Sequence, residues 1–337
     1  MEINEIFLRA CLAEDDKEFE RHYEKIECFE NLDLLDGNSG RLVPYYLHQL
    51  DVFKLNSRHQ LRLKTISKYH WLKTQMLLSE TNRVIELLKG IGITPLIYKG
   101  MSINRIYPDK KLRPSSDMDV LIDYHEFHRA LEVLKNEGYT YPKVFDTLLK
   151  YFPKKNYTYN GHAVKLFHKQ KKLELDLHWN MAHMLSEEGL SHLKLNCIEH
   201  PFIQGALVPR LEHELVIAVL HAAHSMHQNN FLIDIKKLLS NQNMDLMEVR
   251  KFLKIAHRED QFEQARLKLE TYGLLENLEY ESFDCPLSRR NMILPKIKNQ
   301  FVEMDILFPE TRGSFRYYYL LAEMILFKSI WLLLRIR

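Results

Sequence analysis

The segment Arg113-Pro114-Ser115-Ser116-Asp117-Met118-Asp119-Val120-Leu121-Ile122 carries two aspartates into the head of an apolar run. From 118 to 122 that run is short for a helix and fits a buried strand. Strand side chains two residues apart point to the same face, so Asp117 and Asp119 share one.

Working outward, residues 94–98 form a second apolar run that ends at Lys99-Gly100. Before it, residues 56–89 carry apolar side chains at helical spacing, with Gly90-Ile91-Gly92 as the stop. After the aspartates, 124–137 reads as a helix through Phe127, Leu131 and Leu134, closed by Gly138, and 139–144 as a strand. Residues 162–168 and 173–179 read as a hairpin, because Leu173-Glu174-Leu175-Asp176-Leu177-His178-Trp179 alternates strictly. The basic turn Lys169-Gln170-Lys171-Lys172 between them reads as solvent-exposed. Residues 1–50 suggest short helices, and nearly everything beyond Met181 looks helical, including the apolar stretch 211–220. The expectation is an α+β fold: a small mixed β-sheet core over 86–182, an N-terminal helical region over 1–85 and a C-terminal helical region over 183–337.

Composition agrees. The 337 residues suffice for two domains, or for one core with substantial flanking elements. The 11 glycines are about half the usual share, which favours helices and argues against an all-β sandwich. With 47 basic and 45 acidic side chains, no nucleic-acid partner is demanded. Cys11, Cys28, Cys197 and Cys285 form no CxxC pair, so neither a zinc ribbon nor a redox motif is visible. Scattered thiols, and an acidic start without the basic region of a secretory signal, fit a cytoplasmic protein. Residues 317–334, YYYLLAEMILFKSIWLLL, are long enough for a membrane span, but Glu323 and Lys328 are expensive at a bilayer centre. They read as a buried helix, with peripheral membrane contact as the alternative.

Two carboxylates on one strand face repel unless a cation lies between them, and hard oxygen ligands suit Mg²⁺, with Mn²⁺ as a substitute. A third acid on a neighbouring strand would allow two metals about 3.5–4 Å apart. Asp176 is the preferred third acid because it sits deeper in its strand, and Glu174 is the alternative. At the corner Lys99-Gly100-Met101-Ser102, a glycine lets backbone N–H groups approach phosphate, and a helix N-terminus favours negative charge. Ser102 could donate to a phosphate oxygen, while Lys99 and Arg113 could neutralise a triphosphate. Taken singly, a DxD pair is more often a solvated strand edge, and a Lys-Gly pair a turn. Their order, followed by an acid-bearing strand, is what points to a site.

The segments 95–102 and 113–122 together resemble the poorly characterised bacterial nucleotidyltransferase family that shares the DNA polymerase β-like fold. Gly100 matches its corner glycine, although Met101 stands where a second small residue is usual. Asp117 and Asp119 match its metal pair, and Leu175-Asp176-Leu177-His178-Trp179 its acid-histidine-tryptophan strand. The likeness spans roughly residues 70–240, and the helical stretch 212–239 with His221, His224 and Asp234 belongs to it. The resemblance implies transfer of a nucleoside monophosphate from an NTP such as ATP to an acceptor, with release of pyrophosphate. Asp117, Asp119 and Asp176 would then bind metal, and Lys99, Gly100, Ser102, Arg113 and Ser116 the nucleotide. The acceptor could be a small molecule, a peptide, a protein or an RNA. The alternative is a catalytically inactive nucleotide-binding or scaffold protein that keeps the fold. His178 could touch substrate, orient a carboxylate, or hydrogen-bond within the sheet. His221, His224 and His227 recur every three residues and read chiefly as structural, with Asp234 as a cap or partner for one of them. Trp179 reads as core.

Overall fold

The computed structural model describes residues 2–142, 163–181, 185–224 and 229–274. Five helices precede the sheet: α1 (Ile3–Leu12), α2 (Asp16–Glu27), the single turn α3 (Gly37–Gly40), α4 (Val43–Val52) and α5 (Gln60–Gly90). Their starts follow local chemistry. Asp15 accepts from the Glu18 amide at 2.8 Å, Asp36 accepts from the Asn38 and Ser39 amides, and Pro44 occupies the first turn of α4. The long helix α5 buries Leu77, Thr81, Val84, Ile85 and Leu88, and the chain leaves it through Gly92 at φ +76°. That left-handed conformation is one a side chain with a Cβ disfavours.

The strands are β1 (Leu96–Ile97), β2 (Met118–Leu121), β3 (Tyr139–Thr140), β4 (Ala163–His168), β5 (Leu173–His178), β6 (Ile198–Glu199) and β7 (Leu207–Val208). They form one mixed sheet in the order β3-β4-β5-β2-β1-β7-β6. The pairs β2–β5 and β1–β7 run parallel, and the others antiparallel. Between β1 and β2 lie the single turn α6 (Gly100–Ile103) and two 3-10 turns, and α7 (Phe127–Asn136) follows β2. After β5 come α8 (Glu187–Leu195), α9 (Leu211–His224), α10 (Asn230–Leu239), α11 (Leu246–Ala256) and α12 (Glu259–Leu269).

The α+β expectation holds: helical regions flank one mixed sheet. The sheet also draws on the part of the chain that reads as helical, because β6 and β7 lie beyond residue 182. Strands of two residues have no periodicity for a sequence reading to detect. The expected strand at 139–144 is Tyr139–Thr140, and residues 143 and 144 lie outside the described residues, as do 162 and the whole of 317–334. Among the described residues, no helix is long and apolar enough to cross a membrane.

Among the described residues, two apolar cores result. One lies against the sheet, where Val84, Leu88, Val120, Phe127, Leu134, Leu175 and Trp179 are buried together. The other joins the two helical regions directly, with Phe7, Phe19 and Tyr46 in the same cluster as Leu215, Val219, Ile235 and Phe252. Leu96, Tyr98 and Leu121, on β1, just after it and on β2, belong to this second core. The strands β1 and β2 are therefore packed on both faces.

The basic turn after β4 is exposed at Lys169, Gln170 and Lys172, while Lys171 reaches across to pair with the buried Glu80. Cys11, which no disulfide constrains, is fully buried on α1 as a small apolar side chain.

Candidate active site

Strand register creates the site. Along the parallel pair β2–β5, Asp119 stands level with Asp176. Aligned residues of adjacent strands share a face, so the two carboxylates face one way. Asp119, Asp176 and His178 each offer a ligand atom, and these atoms lie within 4.8 Å of one another. Asp117 sits just ahead of β2, half-buried, where Ser116 Oγ donates to its Oδ1 at 3.0 Å. Glu174, the alternative third acid, lies on the same face of β5 two residues before Asp176, is half-exposed, and accepts from Lys165 Nζ at 3.0 Å.

Asp119 is almost fully enclosed, with Lys99 Nζ at 2.6 Å and His178 Nε2 at 3.0 Å from the same oxygen. Burial pushes its carboxyl up, but the Lys99 ammonium and the His178 hydrogen bond outweigh it and hold Asp119 well below the usual carboxylate range. Since Asp119 is therefore ionised, His178 Nε2 must carry the hydrogen it donates. Burial pulls the His178 imidazole down, so the neutral ring is favoured, and Tyr98 packs edge-on against it at 5.1 Å.

Its neighbours lean the other way. Burial first, and then the Asp119 charge, push Asp176 up to about 7, with Lys165 opposing. Asp176 Oδ1 is buried without a hydrogen-bond partner, and Lys165 Nζ stands 3.9 Å from it. Asp117 is likewise raised by burial and by Asp119, against the pull of Lys99 and Ser116. An enclosed carboxylate oxygen with no donor, beside two further acids, is a donor set that suits a hard divalent cation.

Lys99 reaches Asp119 from a strained corner. It ends the β1 segment at φ +57° and ψ −132°, a conformation non-glycine residues rarely adopt, and α6 starts at the next residue. Gly100 is packed tightly there: a Cβ would stand 3.0 Å from Ser115 Oγ and 3.6 Å from Arg113 Nη1.

Two expected phosphate ligands are committed elsewhere. Ser102 is fully buried and donates to Glu214 on α9, with Arg105 Nη1 3.4 Å from the same carboxylate. A helix turns about 100° per residue, which swings Ser102 away from the corner that Gly100 occupies. Arg113 is buried too, and it grips Asp234 of α10 with Nε at 2.8 Å and Nη2 at 2.7 Å. Burial works against its charge, yet Asp234 overrides this and holds the guanidinium firmly protonated. Asp234 also accepts from Tyr107 Oη at 2.7 Å, so its partners are Arg113 and Tyr107 rather than a histidine. His221 packs edge-on against Phe231 at 4.3 Å, and the side chain of His224 and all of His227 lie outside the described residues. Trp179 packs in the core against Phe127 at 4.6 Å.

Arg41 completes the site and carries no sequence signal. From the turn between α3 and α4, its Nη1 donates to Ser116 Oγ at 3.2 Å and its Nη2 to Asn38 Oδ1 at 2.9 Å. Burial and nearby Arg113 make its charge less favourable, with Asp117 opposing them. Among the described residues it forms no ion pair within 4 Å.

No curated protein matches the chain. A family model described as an uncharacterised nucleotidyltransferase matches residues 38–271, a span that holds Arg41, the β1 corner, all three carboxylates and Asp234. The chain belongs to that nucleotidyltransferase family.

Proposed function

We propose that the protein is a metal-dependent nucleotidyltransferase that moves a nucleoside monophosphate from an NTP to an acceptor hydroxyl. Family membership supports an NTP-using transferase. The observation that carries the finer reading is the pairing of Asp119 with Asp176 across β2–β5, with Asp117 at the head of the strand and one Asp176 oxygen unpartnered.

Asp117, Asp119 and Asp176 would hold Mg²⁺, for which Mn²⁺ could substitute. Bound there, the ion supplies charge neutralisation on the triphosphate. The acceptor oxygen attacks the α-phosphorus, the bond from that phosphorus to the bridging oxygen breaks, and pyrophosphate leaves with the bond's electron pair. The acceptor proton needs a base, and Asp176, whose Oδ1 has no hydrogen-bond partner, would serve. His178 orients Asp119 from behind. Lys99, released from Asp119 when another cation takes its place, is poised at the corner to meet phosphate. Arg41 and Ser116 flank Asp117 and offer the second cationic contact. No observation favours the inactive-scaffold reading, and Asp117, Asp119 and Asp176 are all present in the chain.

The test is calorimetric titration of ATP, GTP, CTP and UTP with Mg²⁺ into wild type and the Asp117→Ala/Asp119→Ala variant. Metal-dependent binding that the variant loses supports the site, identifies the base and justifies an acceptor search with NTP labelled at the α-phosphate. A well-folded wild type that binds no NTP overturns the reading.

A further inference from the structure

Away from the sheet, three helices of the C-terminal region bring together side chains that no sequence spacing links. His192 lies in the last turn of α8, His213 near the start of α9, and Glu248 in the first turn of α11. One ligand atom from each lies within 4.8 Å of the others. His192 Nε2 is 2.9 Å from Glu248 Oε1, and His213 Nε2 is 3.6 Å from the same oxygen.

His213 is the telling member. Its side chain is fully buried, and neither ring nitrogen has a hydrogen-bond partner. A buried polar atom left unsatisfied costs about 1–3 kcal/mol, and two on one ring is an arrangement that proteins avoid unless something occupies it. Glu248 Oε1 is 3.6 Å from His213 Nε2, beyond hydrogen-bond length, while it stands 2.9 Å from His192 Nε2. Phe252 fixes both rings, at 4.2 Å from His213 and stacked 5.9 Å from His192.

We propose that His192, His213 and Glu248 form a zinc site that ties α8, α9 and α11 together. Two imidazole nitrogens and one carboxylate oxygen are a donor set for Zn²⁺ rather than for Mg²⁺ or Ca²⁺, which take oxygen. Tetrahedral ligands about 2.1 Å from zinc lie about 3.4 Å apart. The observed separations straddle that figure, so modest side-chain movements close the site. His192 and Glu248 are 15% and 16% exposed, which leaves a fourth position that water can reach. Lys251 Nζ, 3.1 Å from Glu248 Oε2, is the resident competitor, but at 60% exposed it is a weak, solvent-screened one. This site is independent of the nucleotide reading, because none of its residues belongs to the β2–β5 constellation.

The experiment uses the full chain, stripped with a chelator and desalted, then titrated with ZnCl₂ against a chromogenic zinc indicator without Mg²⁺ or nucleotide. Metal content after desalting is read by mass spectrometry, and thermal unfolding is followed in parallel. One zinc per chain and a raised Tm are expected for wild type, and equally for Asp119→Asn/Asp176→Asn, which disables the other acidic cluster. His213→Gln and Glu248→Gln should each weaken binding by at least the ~10–100-fold seen when a supporting outer group is lost, and abolish the rise in Tm. His192→Ala, at the more exposed position, gives the same loss and covers the case in which His213→Gln fails to fold. The proposal is overturned if wild type retains no zinc, or if the zinc survives in His192→Ala and Glu248→Gln, or if it is lost only in Asp119→Asn/Asp176→Asn.

Discussion

Replacing Asp176 with asparagine should make the metal-free protein more stable at pH 8, although it removes a carboxylate from the candidate active site. The folded-state pKa of Asp176 is raised from the ordinary 3.8 to about 7, with burial the larger cause and Asp119 the next. A group raised in this way contributes fully below its unfolded pKa, and its contribution is lost as pH climbs through the folded value. Loss therefore begins near pH 4 and is complete a little above pH 7. About 3 pKa units at about 1.4 kcal/mol each give an upper bound of about 4 kcal/mol. The side chain is 21% exposed and Lys165 can swing closer, so about 2 kcal/mol is the expected size once screening is allowed for.

Asparagine keeps the shape and cannot ionise, so it shows what wild type would be without that penalty. Urea denaturation of both proteins in EDTA, followed by circular dichroism, isolates the effect. Taking the difference between the two removes other groups that titrate in the same window, such as Glu214, which burial raises to about 7. Asp176→Asn should lead wild type by about 1 kcal/mol at pH 5 and about 2 kcal/mol at pH 8. Added Mg²⁺ should narrow the gap at pH 8, because wild type alone retains the third carboxylate. An asparagine variant less stable than wild type at pH 8, or a difference that ignores pH, would refute the claim that Asp176 is a crowded, under-solvated acid.

Other substitutions separate structural from substrate-facing roles. Arg113→Ala or Asp234→Ala should each destabilise by about 3–5 kcal/mol in urea, since each strands a buried charge; a loss below about 1 kcal/mol would mean the pair is solvated. Ser102→Ala should cost about 1 kcal/mol of stability through Glu214 while NTP affinity holds; a clear loss of affinity would return its hydroxyl to the phosphates. Arg41→Ala should weaken NTP binding by roughly tenfold, the worth of a charge-assisted hydrogen bond, with partial rescue by lysine in calorimetry. Unchanged affinity would remove Arg41 from the site.

Several parts of this arrangement were open to a sequence reading because they rest on short-range pattern. The Asp117–Asp119 pair and the alternation of β5 declare strands directly, and α5 and α7 declare helices by spacing. What places Asp119 beside Asp176 is register, and a slip of one residue would turn Asp176 to the opposite face. Ser102 reads as a phosphate ligand because proximity to Gly100 is visible in sequence, whereas the rotational phase of a four-residue helix is set by packing against α9. Asp234 reads as a partner for nearby histidines, yet its guanidinium partner lies 121 residues upstream. Arg41 is one of 47 basic residues and lies 75 positions from Ser116, and nothing local distinguishes it.

These long-range contacts share a direction. The loop that delivers Asp117 to β2 is held at Arg113 by α10, which belongs to the C-terminal helices, and at Ser116 by Arg41, which belongs to the N-terminal ones. Those two helical regions pack into one core, so both anchors ride on the same body. The carboxylates on β2 and β5 are then fixed twice, by sheet register and by the helices that grip the entering loop. A site held to within about half an ångström needs such outer support. In the proposed reaction, the helical regions would therefore be part of the catalytic geometry, which links the buried ion pair at Asp234 to the placing of Asp117. Acceptor choice can vary with surfaces of these helices that the anchors do not use, while the strands keep one chemistry.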